Sequence, residues 1–224
     1  MRVVVRIGGS VVASPINASL INEYSDLLEA LSKNGHEIVA VIGGGKLARE
    51  FITAARDIGL NETAQDEIAI SVSRLLAQLF VKKLGSASYA EVATDLNEVA
   101  QALPEGKIIV MGGLEPGLTT DAVAAMVAER VKAGLLVKGT DQDGVYDKDP
   151  RKYADAIKLD HMSLEELCKV LEKSRHKAGI HQIVDPVAIN VLKRYRLRLV
   201  IVDGFHPANI VAAVNGESVG TVID

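Results

Sequence analysis

The chain has 224 residues, of which 48% are hydrophobic and 4% aromatic, with no tryptophan. This length and composition fit an aliphatic α/β core, and we predict a single domain over residues 1–224. The net charge of −4 argues against nucleic acid and membrane surfaces as partners. Because no apolar run approaches the ~20 residues of a membrane span and no signal pattern is visible, we expect a cytoplasmic protein.

Five apolar stretches are predicted to be strands, at residues 3–7, 37–42, 108–111, 135–137 and 199–202. Each runs into a loop of small or polar residues: Gly8-Gly9-Ser10, Gly43-Gly44-Gly45, Gly112-Gly113, Lys138-Gly139-Thr140-Asp141 and Asp203-Gly204. The strands lack polar/apolar alternation, which is typical of a parallel sheet buried on both faces.

Helical patterns fill most of the intervals between these strands. They cover residues 17–33, 46–56, 63–84, a short stretch ending near 103, and then 121–132, 163–171, 186–195 and a segment from 207. Short strands near residues 89–92 and 219–223, and a turn or hairpin over 143–150, complete the prediction.

The loops at the strand ends indicate a site for anions. In open α/β sheets, ligands bind outside the carboxyl ends of the strands. Thr119 or Thr120 is placed to cap the helix that starts near Asp121, and such a helix start attracts anions. Taken alone, this stretch could equally be a flexible connection before a capped helix. The recurrence of the pattern favours a phosphate site.

Four cations lie at or just after strand ends: Arg6, Lys46, Arg49 and Lys138. Any one of them alone would be read as a surface charge. Together they favour phosphoryl transfer, which needs fixed cations and backbone donors around the migrating group and little covalent chemistry.

Two common nucleotide motifs do not fit. Gly45-Lys46 is followed by Leu47 rather than serine or threonine, so there is no Walker A motif. The stretch from Gly43 to Ala48 matches a degenerate dinucleotide fingerprint, but that motif needs a second strand ending in an acid about 20 residues on. Here the following segment is predicted to be helical, which disfavours a dehydrogenase. The histidines have no zinc-ligand spacing, and we assign no metal ligand.

The ordered motifs resemble the amino acid kinase family, whose members phosphorylate carboxylate, carbamate or phosphate acceptors with ATP and lack a Walker A motif. The residues that carry this resemblance are Ile7-Gly8-Gly9-Ser10, Gly43-Gly44-Gly45-Lys46-Leu47-Ala48-Arg49, Gly112-Gly113, Pro116-Gly117, Thr119-Thr120-Asp121-Ala122, Asp143-Gly144-Val145-Tyr146, Asp149-Pro150 and Asp185-Pro186. Within the family, the chain is most similar to the archaeal-type uridylate (UMP) kinases. The resemblance implies a three-layer α/β/α sandwich around a mostly parallel sheet, and transfer of a phosphoryl group from ATP to UMP.

The resemblance also implies roles for individual residues. Those expected around the ATP phosphates are Gly9, Ser10, Gly45 and Arg49, and those expected at the adenosine end are Thr140, Asp141, Tyr146 and Asp149. The residues expected to bind UMP are Gly44, Asp66, Leu114, Glu115, Pro116, Gly117, Leu118, Thr119 and Thr120. Asp66 is expected at the ribose hydroxyls.

The expected catalytic residues are Arg6, Lys46, Asp121 and Lys138, with Asp121 organising the cations. Arg6 and Lys138 fall where the bacterial members carry their two catalytic lysines. Whether Arg6 or Lys46 is the central cation stays open. In the helix after Asp66, the family often has an asparagine that is missing here, which weakens any role for that helix.

The implied cofactor is Mg²⁺ bridging the ATP phosphates, and the implied assembly is a homo-oligomer, a hexamer of dimers with the first long helix at the dimer contact. One alternative is a kinase of the same family acting on isopentenyl phosphate or a small carboxylate. Isopentenyl phosphate kinases typically have a histidine near the second glycine loop, where this chain has Lys46. Another alternative is a non-catalytic nucleotide sensor, which would be expected to lose the phosphate-site cations.

Overall fold

The computed structural model describes residues 1–175 and 184–224. Its strands are β1 (Arg2–Ile7), β2 (Glu37–Ile42), β3 (Ile109–Met111), β4 (Leu135–Thr140), β5 (Val145–Tyr146), β6 (Lys158–Leu159), β7 (His161–Met162), β8 (Leu199–Asp203) and β9 (Thr221–Ile223). Seven of these described strands form one sheet in the order β3-β2-β1-β4-β8-β9-β7, and β5 pairs with β6 in a separate antiparallel hairpin. Within the large sheet, only the β8–β9 pair is antiparallel. The prediction of a mostly parallel sheet is confirmed.

Helices cover both faces of this sheet. The described helices are α1 (Gly9–Val12), α2 (Ala18–Lys33), α3 (Gly45–Asp57), α4 (Glu62–Leu84), α5 (Leu96–Ala102), α6 (Thr120–Arg130), α7 (Leu164–Arg175), α8 (Pro186–Tyr195) and α9 (Ala208–Val214). Two apolar cores result, one beneath α1, α2, α4 and α9 and the other beneath α5 to α8. This is the expected three-layer sandwich.

Strand β1 explains why the strands read as continuous apolar runs. Val3, Val5 and Ile7 belong to one core, and Val4 belongs to the core on the opposite face. Because helices cover both faces of the strand, its central positions on both faces are apolar, and the polar side chains Arg2 and Arg6 lie near its two ends.

Capping fixes the starts of the helices that matter for the site. Asn17 accepts a hydrogen bond from the Leu20 N–H and begins α2, while Thr119 begins α6. Asp185 precedes Pro186 at the first position of α8, an arrangement that suits a helix start because proline needs no N–H partner there.

The predicted strand over residues 89–92 is wrong. Only the residues on either side of this segment form isolated bridges, Ser88 with Ile108 just before β3 and Ala93 with Met111 of β3. The backbone bends between them, so only separated residues reach β3. Strands β6 and β7 were missed because two residues are too few to produce a recognisable alternation.

None of the helices in the described ranges combines the length and the apolar character needed to cross a membrane.

Candidate active site

The carboxyl ends of β1, β2 and β4 meet at one edge of the sheet. The parallel register places Arg6 of β1 opposite Lys138 of β4, and Val41 of β2 on the other side of Arg6. The Gly8 N–H donates to the Gly139 carbonyl at 2.9 Å, which continues the pairing into the loops. Strand register therefore brings together two cations that are far apart in the sequence.

Asp121, on the first turn of α6, lies between these two cations. Its Oδ1 is 2.8 Å from Arg6 Nε, and its Oδ2 accepts from Lys138 Nζ at 2.5 Å. The Arg6 contact has the distance of an ion pair without the alignment of a hydrogen bond. The three side chains are 16%, 13% and 8% exposed for Arg6, Asp121 and Lys138 respectively. We call these residues the charged trio.

Burial and charge oppose one another in the pKa values of the trio. For Asp121, burial favours the protonated acid, but Arg6 and Lys138 overcome it and hold the pKa below its usual range. For Lys138, burial is the largest influence, and together with Arg6 it lowers the pKa despite the opposing attraction of Asp121. The trio carries two cations against one anion when Lys138 is protonated, so it presents a net positive charge at the strand ends.

The N-terminus of α6 is held by hydroxyl groups. Thr119 Oγ1 accepts from the N–H groups of Asp121 at 3.2 Å and Ala122 at 3.1 Å, and Thr119 also donates to Asp185 Oδ2. Arg6 Nη2 donates to Thr120 Oγ1 at 3.1 Å. The cap therefore fixes the turn that carries Asp121.

The first two glycine loops lie against each other. A Cβ atom on Gly9 would lie 2.1 Å from the Gly45 nitrogen, and one on Gly45 would lie 2.2 Å from the Gly9 carbonyl oxygen. Gly45 also has a φ of +60°, a conformation that side chains disfavour. Only glycine fits at this contact. Gly44 is the N-cap of α3, and Ser10 is half-buried on α1.

Lys46 and Arg49 lie outside the charged trio. The Lys46 side chain is 66% exposed on α3, and its Nζ is 3.8 Å from Glu50. Arg49 is also exposed on α3. Among the four cations singled out in the sequence, the structure brings only Arg6 and Lys138 to Asp121.

Helix α4 holds the loop between β3 and α6. Asp66 Oδ2 accepts from the Gly117 N–H at 2.8 Å, and Ser73 Oγ accepts from the Gly113 N–H at 2.8 Å. Arg74 donates to the carbonyls of Gly113 and Leu114, both at 2.9 Å. Leu118 of this loop is partly buried, while Glu115 and Pro116 are exposed.

The sequence prediction named Asp66 as a UMP-binding residue, and it did not name Ser73 or Arg74, which hold the same loop. The available signal was their spacing, because positions seven and eight residues after Asp66 return to the same face of a helix.

Two of the residues expected at the adenosine end, Asp141 and Asp149, contact Arg151, which the sequence prediction did not name. Arg151 Nη2 donates to Asp141 Oδ2 at 2.8 Å, and its backbone N–H donates to Asp149 Oδ1 at 3.0 Å. Thr140 ends β4 and donates to Asp141. Tyr146 donates to Asp143 at 2.8 Å. Burial alone would raise the pKa of Asp141, but Arg151 overcomes it and lowers that pKa.

The sequence is similar to that of known proteins from one family. A model of the amino acid kinase family matches residues 1–203. A uridylate kinase from Methanobrevibacter smithii is 41% identical over 223 residues, covering 100% of this chain and 99% of the relative. One from Methanocaldococcus jannaschii is 43% identical over 226 residues, covering 100% of both chains.

The fold is also similar to those of solved structures of uridylate (UMP) kinases. The uridylate kinase from Archaeoglobus fulgidus superposes with a TM-score of 0.91 at 36% identity and covers 100% of both chains. A UMP kinase from Bacillus anthracis has a TM-score of 0.84 at 20% identity, covers 100% of this chain and 95% of its own, and shares the fold.

Proposed function

The chain belongs to the amino acid kinase family, and on this basis we propose that it transfers the γ-phosphoryl group of ATP to UMP, giving ADP and UDP. The observation that carries the proposal is the charged trio of Arg6, Asp121 and Lys138, buried at the strand ends beside two interlocked glycine loops. The choice of UMP as acceptor is supported by full-length relatives that are named uridylate kinases.

The trio suits the charge distribution of phosphoryl transfer. Negative charge spreads over the oxygens of the migrating group, and preorganised cations in a site shielded from water stabilise it more than water would. In the proposed mechanism, Arg6 and Lys138 supply this charge. Asp121 holds the two cations at fixed positions despite their mutual repulsion. The UMP phosphate is already largely ionised near neutral pH, so no strong general base is needed.

We place the ATP phosphates at the first two glycine loops, where the backbones of Gly9 and Gly45 are free of side chains and Ser10 and Arg49 are nearby on the following helices. The adenosine end is assigned to a surface formed by Thr140, Asp141, Tyr146 and Asp149. Lys46 is exposed and has room to turn toward a bound phosphate, so we keep it as an accessory cation.

We place UMP against Gly44, Asp66 and the loop over residues 114–120. In this proposal Asp66 uses both carboxylate oxygens: Oδ2 holds the Gly117 N–H, and Oδ1 accepts from a ribose hydroxyl. Thr119 and Thr120, at the positive end of α6, lie where the UMP phosphate would benefit from the helix dipole.

Mg²⁺ is proposed to arrive as part of MgATP. Both carboxylate oxygens of Asp121 are engaged by cations, and the described residues contain no cluster of three acidic, histidine or cysteine side chains. This donor set fits a metal ion held mainly by phosphate oxygens, the usual mode for Mg²⁺ in phosphoryl transfer. The ion would neutralise charge on the donor phosphates.

We also propose a cytoplasmic homo-oligomer, a hexamer by resemblance. Large exposed apolar side chains lie on α3 and α4, including Phe51, Leu75 and Leu79 at 50%, 60% and 42% exposure. Helix α2 exposes no large apolar side chain, and its exposed residues are alanine or polar, such as Asn22 and Asp26. The exposed apolar residues therefore favour α3 and α4, rather than the first long helix α2, as the contact between copies.

A substrate panel tests the function. The pure protein is incubated with MgATP and UMP, CMP, dUMP, isopentenyl phosphate or N-acetylglutamate, and ADP release is measured. We expect rapid release with UMP and slower release with dUMP, which lacks a hydroxyl for Asp66. Release with isopentenyl phosphate but not UMP would assign the chain to a different acceptor. No release above the background ATPase rate with any acceptor would indicate a non-catalytic nucleotide sensor.

A further inference from the structure

Asp185 occupies a position that its role as a helix cap does not fully explain. It is 9% exposed, and its Oδ1 accepts from the N–H groups of Val187 at 2.8 Å and Ala188 at 3.0 Å, which caps α8. Its second oxygen, Oδ2, accepts from the hydroxyl of Thr119 on a different element. One carboxylate therefore joins the starts of α8 and α6.

Thr119 links Asp185 to Asp121 through hydrogen bonds. The same Thr119 oxygen that donates its proton to Asp185 accepts the N–H groups of Asp121 and Ala122. A hydroxyl that donates to a carboxylate becomes a stronger acceptor, because hydrogen bonds in a chain polarise one another. The α8 cap therefore holds the first turn of α6, and this turn orients the Asp121 carboxylate toward Arg6 and Lys138.

Asp185 also acts on the charge of Lys138. Within residues 1–175 and 184–224, the charges that act on Lys138 include Arg6 on β1, Asp121 on α6 and Asp185 before α8. The two carboxylates favour the ammonium form, and Arg6 disfavours it. Apolar side chains including Leu136, Ala188 and Leu199 line a cavity of about 10 Å³ beside Arg6, Asp121 and Lys138, so little solvent screens these charges.

We propose that Asp185 is a positioning residue for phosphoryl transfer, which fixes Asp121 through Thr119 and helps to keep Lys138 charged. This inference rests on the proposed function and extends it to a residue that touches neither nucleotide. A purely structural cap would stabilise α8 without any effect on Lys138 or on turnover.

The chain offers a matched control for this proposal. Asp95 caps α5 in the same way, accepting from the N–H groups of Asn97 and Glu98 at 2.7 and 3.0 Å. Asparagine caps helices about as well as aspartate. Asp185→Asn and Asp95→Asn therefore make the same chemical change at two helix caps, and only the first removes a charge that is bonded to Thr119 and acts on Lys138.

The first measurement is the titration of Lys138 by NMR in protein carrying ¹³Cε-labelled lysine, with the signal assigned by its loss in Lys138→Arg. We expect Asp185→Asn to lower the Lys138 pKa relative to wild type, because removal of an opposite charge disfavours the ammonium form. Asp95→Asn should leave the Lys138 titration unchanged. Equal titration curves for the two variants would overturn the electrostatic part of the proposal.

The second measurement is steady-state kinetics across pH. We expect Asp185→Asn to lower kcat roughly ten- to a hundredfold, as displaced catalytic groups do, with the KM for ATP nearly unchanged. The alkaline fall of kcat should also begin at lower pH. Asp95→Asn should keep the wild-type profile. If Asp185→Asn has wild-type kcat at every pH, Asp185 is a cap and nothing more.

A variant that fails to fold does not end the test. Asp185→Ser keeps a neutral capping side chain at the start of α8, and the same two measurements apply to it. An absence of UMP-dependent ADP release by the wild-type protein would contradict the proposed function. The NMR titration would still decide whether Asp185 acts on Lys138.

Discussion

At the scale of single residues, Asp121 is the carboxylate that holds two largely buried cations together. It is a carboxylate with 13% exposure between two cations, each of which would be costly to bury without it. Its lowered pKa records that its charged form is stabilised by the fold. A group of this kind stabilises the protein above the pKa that it has in the unfolded chain, and this stabilisation is lost as pH falls through the folded-state pKa.

Asp121→Asn should therefore destabilise the protein in a pH-dependent way. Removal of one partner from a buried ion pair typically costs roughly 3–5 kcal/mol, and deprotonation of Lys138 would relieve part of this cost. In thermal melts, the Tm difference from wild type should be largest near neutral pH and should shrink as pH falls below the ordinary aspartate range. Asp26→Asn, at a carboxylate whose side chain is 71% exposed, should have little effect. A Tm difference that stays constant with pH would contradict this account.

Lys138 should limit turnover at alkaline pH. Because its pKa is lowered by burial and by Arg6, it loses its proton at lower pH than an ordinary lysine, and kcat should fall there. Lys138→Arg should abolish this alkaline fall, since a guanidinium group stays protonated, although its different shape should lower the maximal kcat. Lys33→Arg, on an exposed position of α2, serves as the control. If Lys138→Arg keeps the same alkaline limb, another group controls it.

At the scale of elements, the contact between the first two glycine loops leaves no space for a side chain. Gly9→Ala would place a Cβ atom 2.1 Å from the Gly45 nitrogen, so the loops would have to separate. We expect a loss of most kinase activity and a lower Tm. Gly134→Ala is a suitable control, because a Cβ atom there would meet nothing within 4 Å. An active Gly9→Ala variant with unchanged ATP affinity would show that the loops adapt without loss of the phosphate site.

The attachment of α4 to the loop over residues 113–117 predicts a different kinetic effect. Arg74→Gln would remove the paired bonds to the Gly113 and Leu114 carbonyls, and bonds to charged groups are worth roughly 1.5–3 kcal/mol. The KM for UMP should rise about tenfold or more, and the KM for ATP should stay near the wild-type value. Arg56→Gln, exposed at the end of α3, should leave both KM values unchanged. A rise in both KM values for Arg74→Gln would indicate general destabilisation.

At the scale of the whole molecule, one sheet contains strands from both halves of the chain, with β1 lying directly between β2 and β4. This arrangement supports the proposal of a single domain. Both faces of the sheet are covered by helices, and α3 and α4 expose the large apolar side chains of Phe51, Leu75 and Leu79 on their outer surfaces.

The proposed oligomer can be tested with charge on α4. Leu75→Glu combined with Leu79→Glu should reduce the molar mass measured by light scattering, because burying two carboxylates at a contact between copies is strongly unfavourable. Asn22→Glu, on the polar exposed face of α2, should leave the mass unchanged. Dissociation by Asn22→Glu and not by the α4 variant would place the contact on α2.

The sequence by itself determined the local features. The five main strands, the glycine loops after them and a threonine cap at Thr119 or Thr120 all depend on residues close together in the chain. Apolar runs, glycine pairs and capping residues act through local backbone preference and through burial on both faces of a strand. The segment over residues 89–92 was misjudged because its pairing with β3 depends on a bend that composition does not encode.

The tertiary structure decided which of the marked residues meet. Strand register brought Arg6 to Lys138, while the position of α3 left Lys46 exposed beside Glu50. Helix packing joined Asp185 to Thr119, and α4 supplied Ser73 and Arg74 to a loop far along the chain. These contacts could not be predicted from the sequence because they depend on the relative placement of elements, which register and core packing fix only in the folded protein.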